Sequence, residues 1–400
     1  MTPPTPPYSL HSQLETFPLN QYAVQDLLKA LRTMGERIEG AWDWIRPGDT
    51  ILLKPNLLRA APPQEAVTTH PALLEAVARM VRDLGGHPLV AESPAGPYTR
   101  RHLQRVYSRC GIQELAEDGL LEVNLSPETV WTPHEEGVQM RAVELIRPVR
   151  EVDGIINLPK AKTHTFMGLT GAVKNLFGFI PGLKKVGFHG NLMEPVRFAE
   201  MLLDLVSLIR PNLTIMDGIV GMDGDGPSAG RVRPLGFLLM GRSPVHVDWG
   251  FSRMVGVAPE RIPVLKAAQS RGWITPHLSA FESIGAGSCP RIIDFRLPKT
   301  LDPLSGLGAL PFAGLVGRLL AKACSLRPWI PSELCERCGT CARSCPAGAI
   351  EVSEERTWID DARCIRCYCC HETCPKRIVE LRGSLLYRML SPLSGRRGDT

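Results

Sequence analysis

PGDTILLKPNLLRAAPPQEAVTTHPALLEAVARMVRDLGGHPLVAE, residues 47–92, spells a strand, a helix and a second strand in order. Pro47-Gly48-Asp49 is a turn signal before the short apolar run Thr50 to Lys54. From Pro71 to Leu84 the apolar residues recur at helical spacing, with proline in the first turn and Gly85-Gly86 as the stop. Pro88 to Glu92 then returns as a strand. The alternation continues outward. Arg101–Glu117, Glu194–Ile209 and Pro244–Val255 read as helices, and Gly154–Leu158 and Leu213–Asp217 as strands. Such alternation predicts a layered α/β domain over residues 45–300, a largely parallel sheet with helices on both faces. Residues 1–44 read as an N-terminal extension. In sheets of this kind ligands sit beyond the carboxyl ends of the strands.

Two unusual stretches fall at strand ends. After Gly154–Leu158 comes a loop bearing Lys160, Lys162 and His164, then Thr170-Gly171-Ala172-Val173-Lys174-Asn175, with Lys184, Lys185 and His189 close behind. Thr170 suits an N-cap, and free N–H groups at a helix start beside cations make an anion site for phosphate or carboxylate. The competing reading is a solvated lysine surface with a structural histidine. Placement at a strand end among glycines and apolar residues favours the anion site. The second stretch follows Leu213–Asp217, where Asp217, Asp223 and Asp225 stand among glycines. These carboxylates suit a hard cation or orientation of the lysines, although the spacing is not an EF-hand. Lys54 and Asn56 end the first strand and reach the same crevice. The expected substrate-binding set is therefore Lys54, Asn56, Lys160, Lys162, His164, Lys174, Asn175, Asp223 and Asp225. No G-x-G-x-x-G or Walker A loop is present, so neither a dinucleotide nor a P-loop site is indicated.

Eight of the twelve cysteines form two copies of one spacing near the C-terminus. Cys335-x2-Cys338-x2-Cys341-x3-Cys345-Pro is followed by Cys364-x2-Cys367-x2-Cys370-x3-Cys374-Pro. This is a bacterial ferredoxin signature, in which the fourth cysteine of each run serves the other cluster. Two [4Fe-4S] clusters are expected over residues 330–382. Cys335, Cys338, Cys341 and Cys374 would hold one, and Cys364, Cys367, Cys370 and Cys345 the other. Zinc sites favour separated ligand pairs or mixed cysteine and histidine, and disulfide frameworks belong to small secreted chains. Cys369 falls outside the x2 register and reads as a bystander. Cys289 reads as a loop thiol, and Cys110 and Cys324 as packing residues.

Hydrophobic content of 44% and charged content of 22% match an ordinary globular chain. A net charge of +5, with no long basic stretch interleaved with aromatics, gives no nucleic-acid surface. The opening residues hold no signal-peptide pattern, and unpaired thiols point to a reducing cytoplasm. Ser305 to Cys324 is apolar but interrupted by Pro311, Arg318 and Lys322. It reads as a linker and helix within residues 301–329, with membrane-surface contact as the alternative and no transmembrane segment. Residues 383–400 read as a tail.

GDTILLKPNLL with TTHPALLEAV, the K-x-K-x-H block with TGAVKNLFG, and D-G with G-D-G-P resemble the DUF362 family over about residues 45–260. Many members of that family carry a two-cluster ferredoxin-type domain, and the resemblance implies no particular reaction.

Two readings follow. In the first, the clusters pass electrons to or from a small anionic substrate in the α/β domain, with His164 as candidate proton donor, as in a ferredoxin-linked oxidoreductase. In the second, the protein is an electron carrier whose α/β domain docks a redox partner protein.

Overall fold

The computed structural model describes residues 5–10, 12–274, 291–301 and 326–383. The expected linker at 305–324, Cys289, Cys324 and the C-terminal tail lie outside the described residues.

Strands β1 (Leu14–Pro18), β2 (Thr50–Pro55), β3 (His87–Val90) and β4 (Glu122–Val123) come first. A separate hairpin follows, formed by β5 (Thr129–Pro133) and β6 (Ala142–Ile146). Then come β7 (Gly154–Leu158), β8 (Lys160–His164), β9 (Gly168–Thr170), β10 (Leu213–Asp223) and β11 (Arg231–Gly241). The main sheet runs β1-β11-β10-β7-β2-β3-β4, with β8 against β10 and β9 against β8. From β10 through β4 the pairing is parallel, while β11 and β1 close one edge antiparallel.

Helices α1 (Val24–Arg37), α2 (Pro71–Asp83), α3 (Arg100–Arg109) and α4 (Gln113–Glu117) precede the central strand β7. After it come α5 (Ala172–Asn175), α6 (Lys184–Asn191), α7 (Pro195–Ile209), α8 (Pro244–Met254) and α9 (Pro263–Ser270). The period-2 alternation of a strand sends neighbouring side chains to opposite faces. Accordingly Ile51, Leu53 and Ile156 join Leu27, Leu31, Leu73 and Val77 in one core. Leu52 and Ile155 join Leu202, Val206, Phe251 and Leu265 in the other. Both faces of the sheet are buried, so its central strands read as continuous apolar runs.

The structure corrects several expectations. Residues 14–37, set apart as an extension, supply the edge strand β1 and the core helix α1. The helix expected over 101–117 breaks at Cys110-Gly111, where Gly111 takes φ 73°. The segment Lys160–His164, expected as a loop, is strand β8. It pairs in parallel with the second half of β10, Asp217 opposite Lys160 and Met222 opposite Lys162. The acidic glycine stretch begins as strand too, since β10 runs on to Asp223 against β11. Gly218 and Gly221 sit where an added Cβ would collide with Phe237 and with Leu235. These two glycines admit side chains from β11, and they mark no turn.

The C-terminal module pairs β12 (Arg327–Trp329) with β15 (Glu380–Arg382), and β13 (Ile350–Val352) with β14 (Thr357–Ile359). Each cysteine run carries one short helix, α10 (Thr340–Arg343) or α11 (Cys369–Thr373).

Candidate functional site

Beyond the carboxyl ends of β2 and β7 a line of carboxamides crosses the crevice. Asn56 Nδ2 donates to Asn175 Oδ1 at 3.1 Å, and Asn175 Nδ2 donates to Asn157 Oδ1 at 2.8 Å and to Lys54 O at 3.0 Å. Lys162 Nζ completes the line, donating to Asn56 Oδ1 and to Val67 O, each at 2.6 Å. Lys54, wholly buried, pairs with Glu92 and donates to Pro55 O at 2.8 Å. Burial pushes the Lys54 amine down, and the Glu92 charge opposes that.

Lys160 is committed elsewhere. Its Nζ lies 2.7 Å from Asp217 Oδ2 and donates to Tyr22 OH at 2.8 Å. Asp217 also accepts from Tyr22 OH at 2.7 Å and from His70 N at 3.0 Å, and Tyr22 stacks on His70 at 3.7 Å. Both oxygens of Asp217 are engaged inside the protein. Asp223 likewise receives Arg231 Nη2 at 2.7 Å, Arg233 Nη1 at 3.2 Å and Arg296 N at 3.2 Å. Burial works against that carboxylate, but these hydrogen bonds hold its pKa below the ordinary value. Asp225 binds Lys299, at 3.1 Å from both N and Nζ. Among the described residues no three His, Cys, Asp or Glu side chains converge as on a single metal ion.

The helix start expected as an anion site is filled from within. Thr170 lies in β9, and the carboxylate of Asp248 on α8 accepts from Ala172 N at 2.5 Å and Val173 N at 3.0 Å. Burial pushes the Asp248 carboxyl up to about 7, with those two N–H groups opposing. No local sequence pattern could reveal this cap, since it arrives from 76 residues along the chain.

Lys174 is different. Among the described residues its amine has no carboxylate within ion-pair distance and makes no hydrogen bond, resting 5.7 Å from the Phe177 ring centroid, and burial lowers its pKa while the charge of Glu372 opposes that. It faces a cavity of about 720 Å³, counted out to its mouth, together with Asn56, Glu92, Asn175, Lys185 and His189. Leu57, Leu58, Phe177, Leu183 and Val186 supply the apolar wall. Lys185 donates to Ser93 O, and burial lowers its pKa to about 7. Gly178 lines the same wall, where an added Cβ would strike the Glu92 carboxylate.

The far wall belongs to the cysteine module, through Ser344, Cys369, Glu372 and Thr373. The module is fastened across the β10–β11 loop. His371 Nε2 contacts Asp225 O at 2.9 Å, its Nδ1 contacts Val379 O at 2.7 Å, and Ser228 Oγ donates to His371 O at 3.2 Å. Arg377 meets Glu65 at 3.2 Å. His164 sits directly behind this wall. Its Nδ1 accepts from Phe166 N at 3.0 Å, which assigns the ring proton to Nε2, 3.2 Å from Glu372 Oε1 but off the line of a hydrogen bond. Burial, then nearby Lys174, holds the imidazole well below its usual pKa, so it is neutral. It does not line the cavity, whereas Glu372 does.

Cys335, Cys338, Cys341 and Cys374 line one small recess of the module, of about 390 Å³. Cys345, Cys364, Cys367 and Cys370 line a second, of about 300 Å³. The last cysteine of each run thus faces the recess of the other. Arg337 N donates to Cys335 Sγ at 3.4 Å, and Ala349 N to Cys345 Sγ at 3.2 Å. Gly339 at φ 71° and Tyr368 at φ 61° make the same left-handed step after the second cysteine of each run. Four soft donors about a recess, with backbone N–H groups aimed at sulfur, fit an iron–sulfur cubane.

The fold and this donor set define an α/β body joined to an iron–sulfur electron-carrier module. Residues 51–252 match the Domain of unknown function (DUF362), and the chain belongs to that family. Residues 327–375 match the 4Fe-4S dicluster domain. The chain is 33% identical over 287 residues to the thylakoid-associated protein sll1697 of Synechocystis sp., covering 71% of this chain and 87% of that protein. The lactate racemase apoprotein of Thermoanaerobacterium thermosaccharolyticum superposes with a TM-score of 0.41 at 14% identity. That match covers 62% of this chain and 58% of the racemase. No helix among the described residues is long and apolar enough to cross a membrane.

Proposed function

We propose that this protein is a ferredoxin-linked redox enzyme, in which two [4Fe-4S] clusters exchange electrons with a small anion held between body and module. One observation carries the reading: a single cavity is walled on one side by Lys174 and Lys185 and on the other by Cys369 and Glu372 of the cysteine module. Cys335, Cys338, Cys341 and Cys374 would hold one cluster, and Cys364, Cys367, Cys370 and Cys345 the other. The clusters, when bound, supply one-electron storage.

The chain's own residues supply the rest. Lys174 offers an amine without a protein partner, which a bound anion would favour in its charged form, and Lys185 a second cation below about pH 7, while Asn56 and Asn175 present a fixed amide edge. Lys54 and Lys162 stand behind this edge and hold Glu92 and Asn56 in place. Lys160 and Asp223 act as scaffold, through ion pairs that join β8 to β10 and β10 to β11, while Asp225 ties the loop after β10 to Lys299. His164 keeps its proton on Nε2 opposite Glu372, one side chain removed from the anion. Apolar residues on the remaining wall exclude water, which strengthens the charge interactions inside. Unpaired thiols suit a reducing compartment, the cytoplasm.

Native mass spectrometry of the full chain, purified without oxygen, tests this reading. The expected mass is that of two clusters plus a retained small anion, with the anion absent from K174Q. Two clusters above an empty body would favour the docking reading, in which the partner is a protein.

A further inference from the structure

The lysines around the crevice differ in what holds them. Lys54 pairs with Glu92 and Lys160 with Asp217, while the exposed Lys184 pairs with Glu144. Lys174 and Lys185 line the cavity, and among the described residues neither has a carboxylate within ion-pair distance. Lys185 lies in the first turn of α6, and Ser93 fixes it twice. Ser93 Oγ accepts from Gly182 N at 2.7 Å just before the helix, and Ser93 O accepts from the Lys185 amine. A carbonyl oxygen takes one N–H and returns no negative charge. An amine held so, partly desolvated and near a second amine, gives up its proton readily and keeps its lone pair free. Burial brings Lys185 to about 7, with Glu92 opposing and Lys54 and Lys174 adding to the fall. His102 and His189 also stand around it, and Glu372 is on the far wall. Asn56 Nδ2 gives one N–H to Asn175 and keeps the other for a ligand oxygen.

We propose that the two cavity amines divide the work: Lys174 holds the carboxylate of a small oxo acid, and Lys185 attacks its carbonyl carbon to form an imine. The bonds balance without any redox partner. The lysine nitrogen makes the new C=N bond, the C=O bond breaks, and the oxygen leaves as water with the two hydrogens of the neutral amine. The apolar wall of Leu57, Leu58, Leu183 and Val186 suits the remainder of such an acid and keeps bulk water from the imine. This deepens the preceding reading by giving the anion a chemical class. It rests on the anion part of that reading and not on the clusters.

The test is reductive trapping on the anaerobically purified full chain, with pyruvate and 4-oxopentanoate as probes and cyanoborohydride as the trapping reagent. Peptide mass spectrometry is expected to place a single secondary-amine adduct on Lys185. K185R should abolish it, and K174Q should reduce its yield about fivefold or more through loss of the carboxylate partner. Peptide mapping of the wild type locates the adduct even where a variant fails to fold. Trapping needs the neutral amine, so its yield should rise as pH rises through about 7, whereas binding of acetate, which has no carbonyl, should fall. An adduct on Lys174, adducts spread over surface lysines, or no adduct with either probe would overturn the proposal. Native mass spectra separate the two failures. A retained anion in the wild type, with no adduct at Lys185, sinks this proposal alone, while an empty cavity that also leaves both probes unbound sinks the anion reading with it.

Discussion

Glu372 Oε1, carried by the cysteine module, lies 3.2 Å from His164 Nε2 at the end of β8 in the body. Both side chains are buried, and the pair marks the joint where the two parts of the chain close one cavity. A module that merely trailed from the body would have no reason to bury a carboxylate there. Burial raises the pKa of Glu372, and Lys174, His371 and Lys162 oppose that rise.

Charge at this joint has an expected sign. Removing a cation with K174Q weakens anion binding in the cavity, and removing negative charge with E372Q tightens it. Each change is expected to be about fivefold or more, since unit charges a few ångströms apart at a protein surface interact by about 1–4 kcal/mol. Equilibrium dialysis of the anion released from the wild type measures both.

Lys185 should give anion binding its pH dependence. Burial brings this lysine down to about 7, so it is charged below that pH and neutral above it. Binding that uses its charge is therefore full below about 7 and declines as pH rises through that value. K185R keeps the charge and should flatten the profile. Amine-directed labelling at neutral pH, read by mass spectrometry, should also mark Lys185 ahead of ordinary surface lysines.

Lys160 and Asp217 predict a different phenotype. D217A leaves a buried ammonium without its partner, which costs about 3–5 kcal/mol. Thermal unfolding should report a large loss of stability. K174Q should show no comparable loss, because its amine holds no partner within the body.

Gly178 tests the cavity wall. A methyl group there meets the carboxylate of Glu92, which is fixed between Lys54 and the wall. G178A is expected to cost about 1–3 kcal/mol, as overpacking does, and to diminish anion retention. Unfolding midpoints and native mass spectra of the variant measure the two effects.

Much of this molecule is legible in its sequence. The strand Gly154–Leu158 has the bounds its apolar run indicates, and α2 and α7 lie within a residue of the bounds expected for them. The carboxyl-end rule led to Asn56 and Lys174. What the sequence hides is pairing at a distance. Lys160 and Lys174 look alike along the chain, yet β8 lies beside β10 in a register that hands Lys160 to Asp217. Tyr22 and Asp248 carry no local signal at all, because each acts on a site more than 70 residues away. Glu372 is hidden for the same reason, since the cysteine spacing says nothing of which body residues its helix will meet.

The central claim is that an anion held at this joint exchanges electrons with the clusters. The most direct measurement is stopped-flow absorbance of the anaerobically reduced full chain, mixed with the anion released from the wild-type protein. Reoxidation in the wild type, with loss of that rate in K174Q while the clusters stay intact, is the result expected. Equal reoxidation in both proteins, or none in either redox direction, would contradict the account.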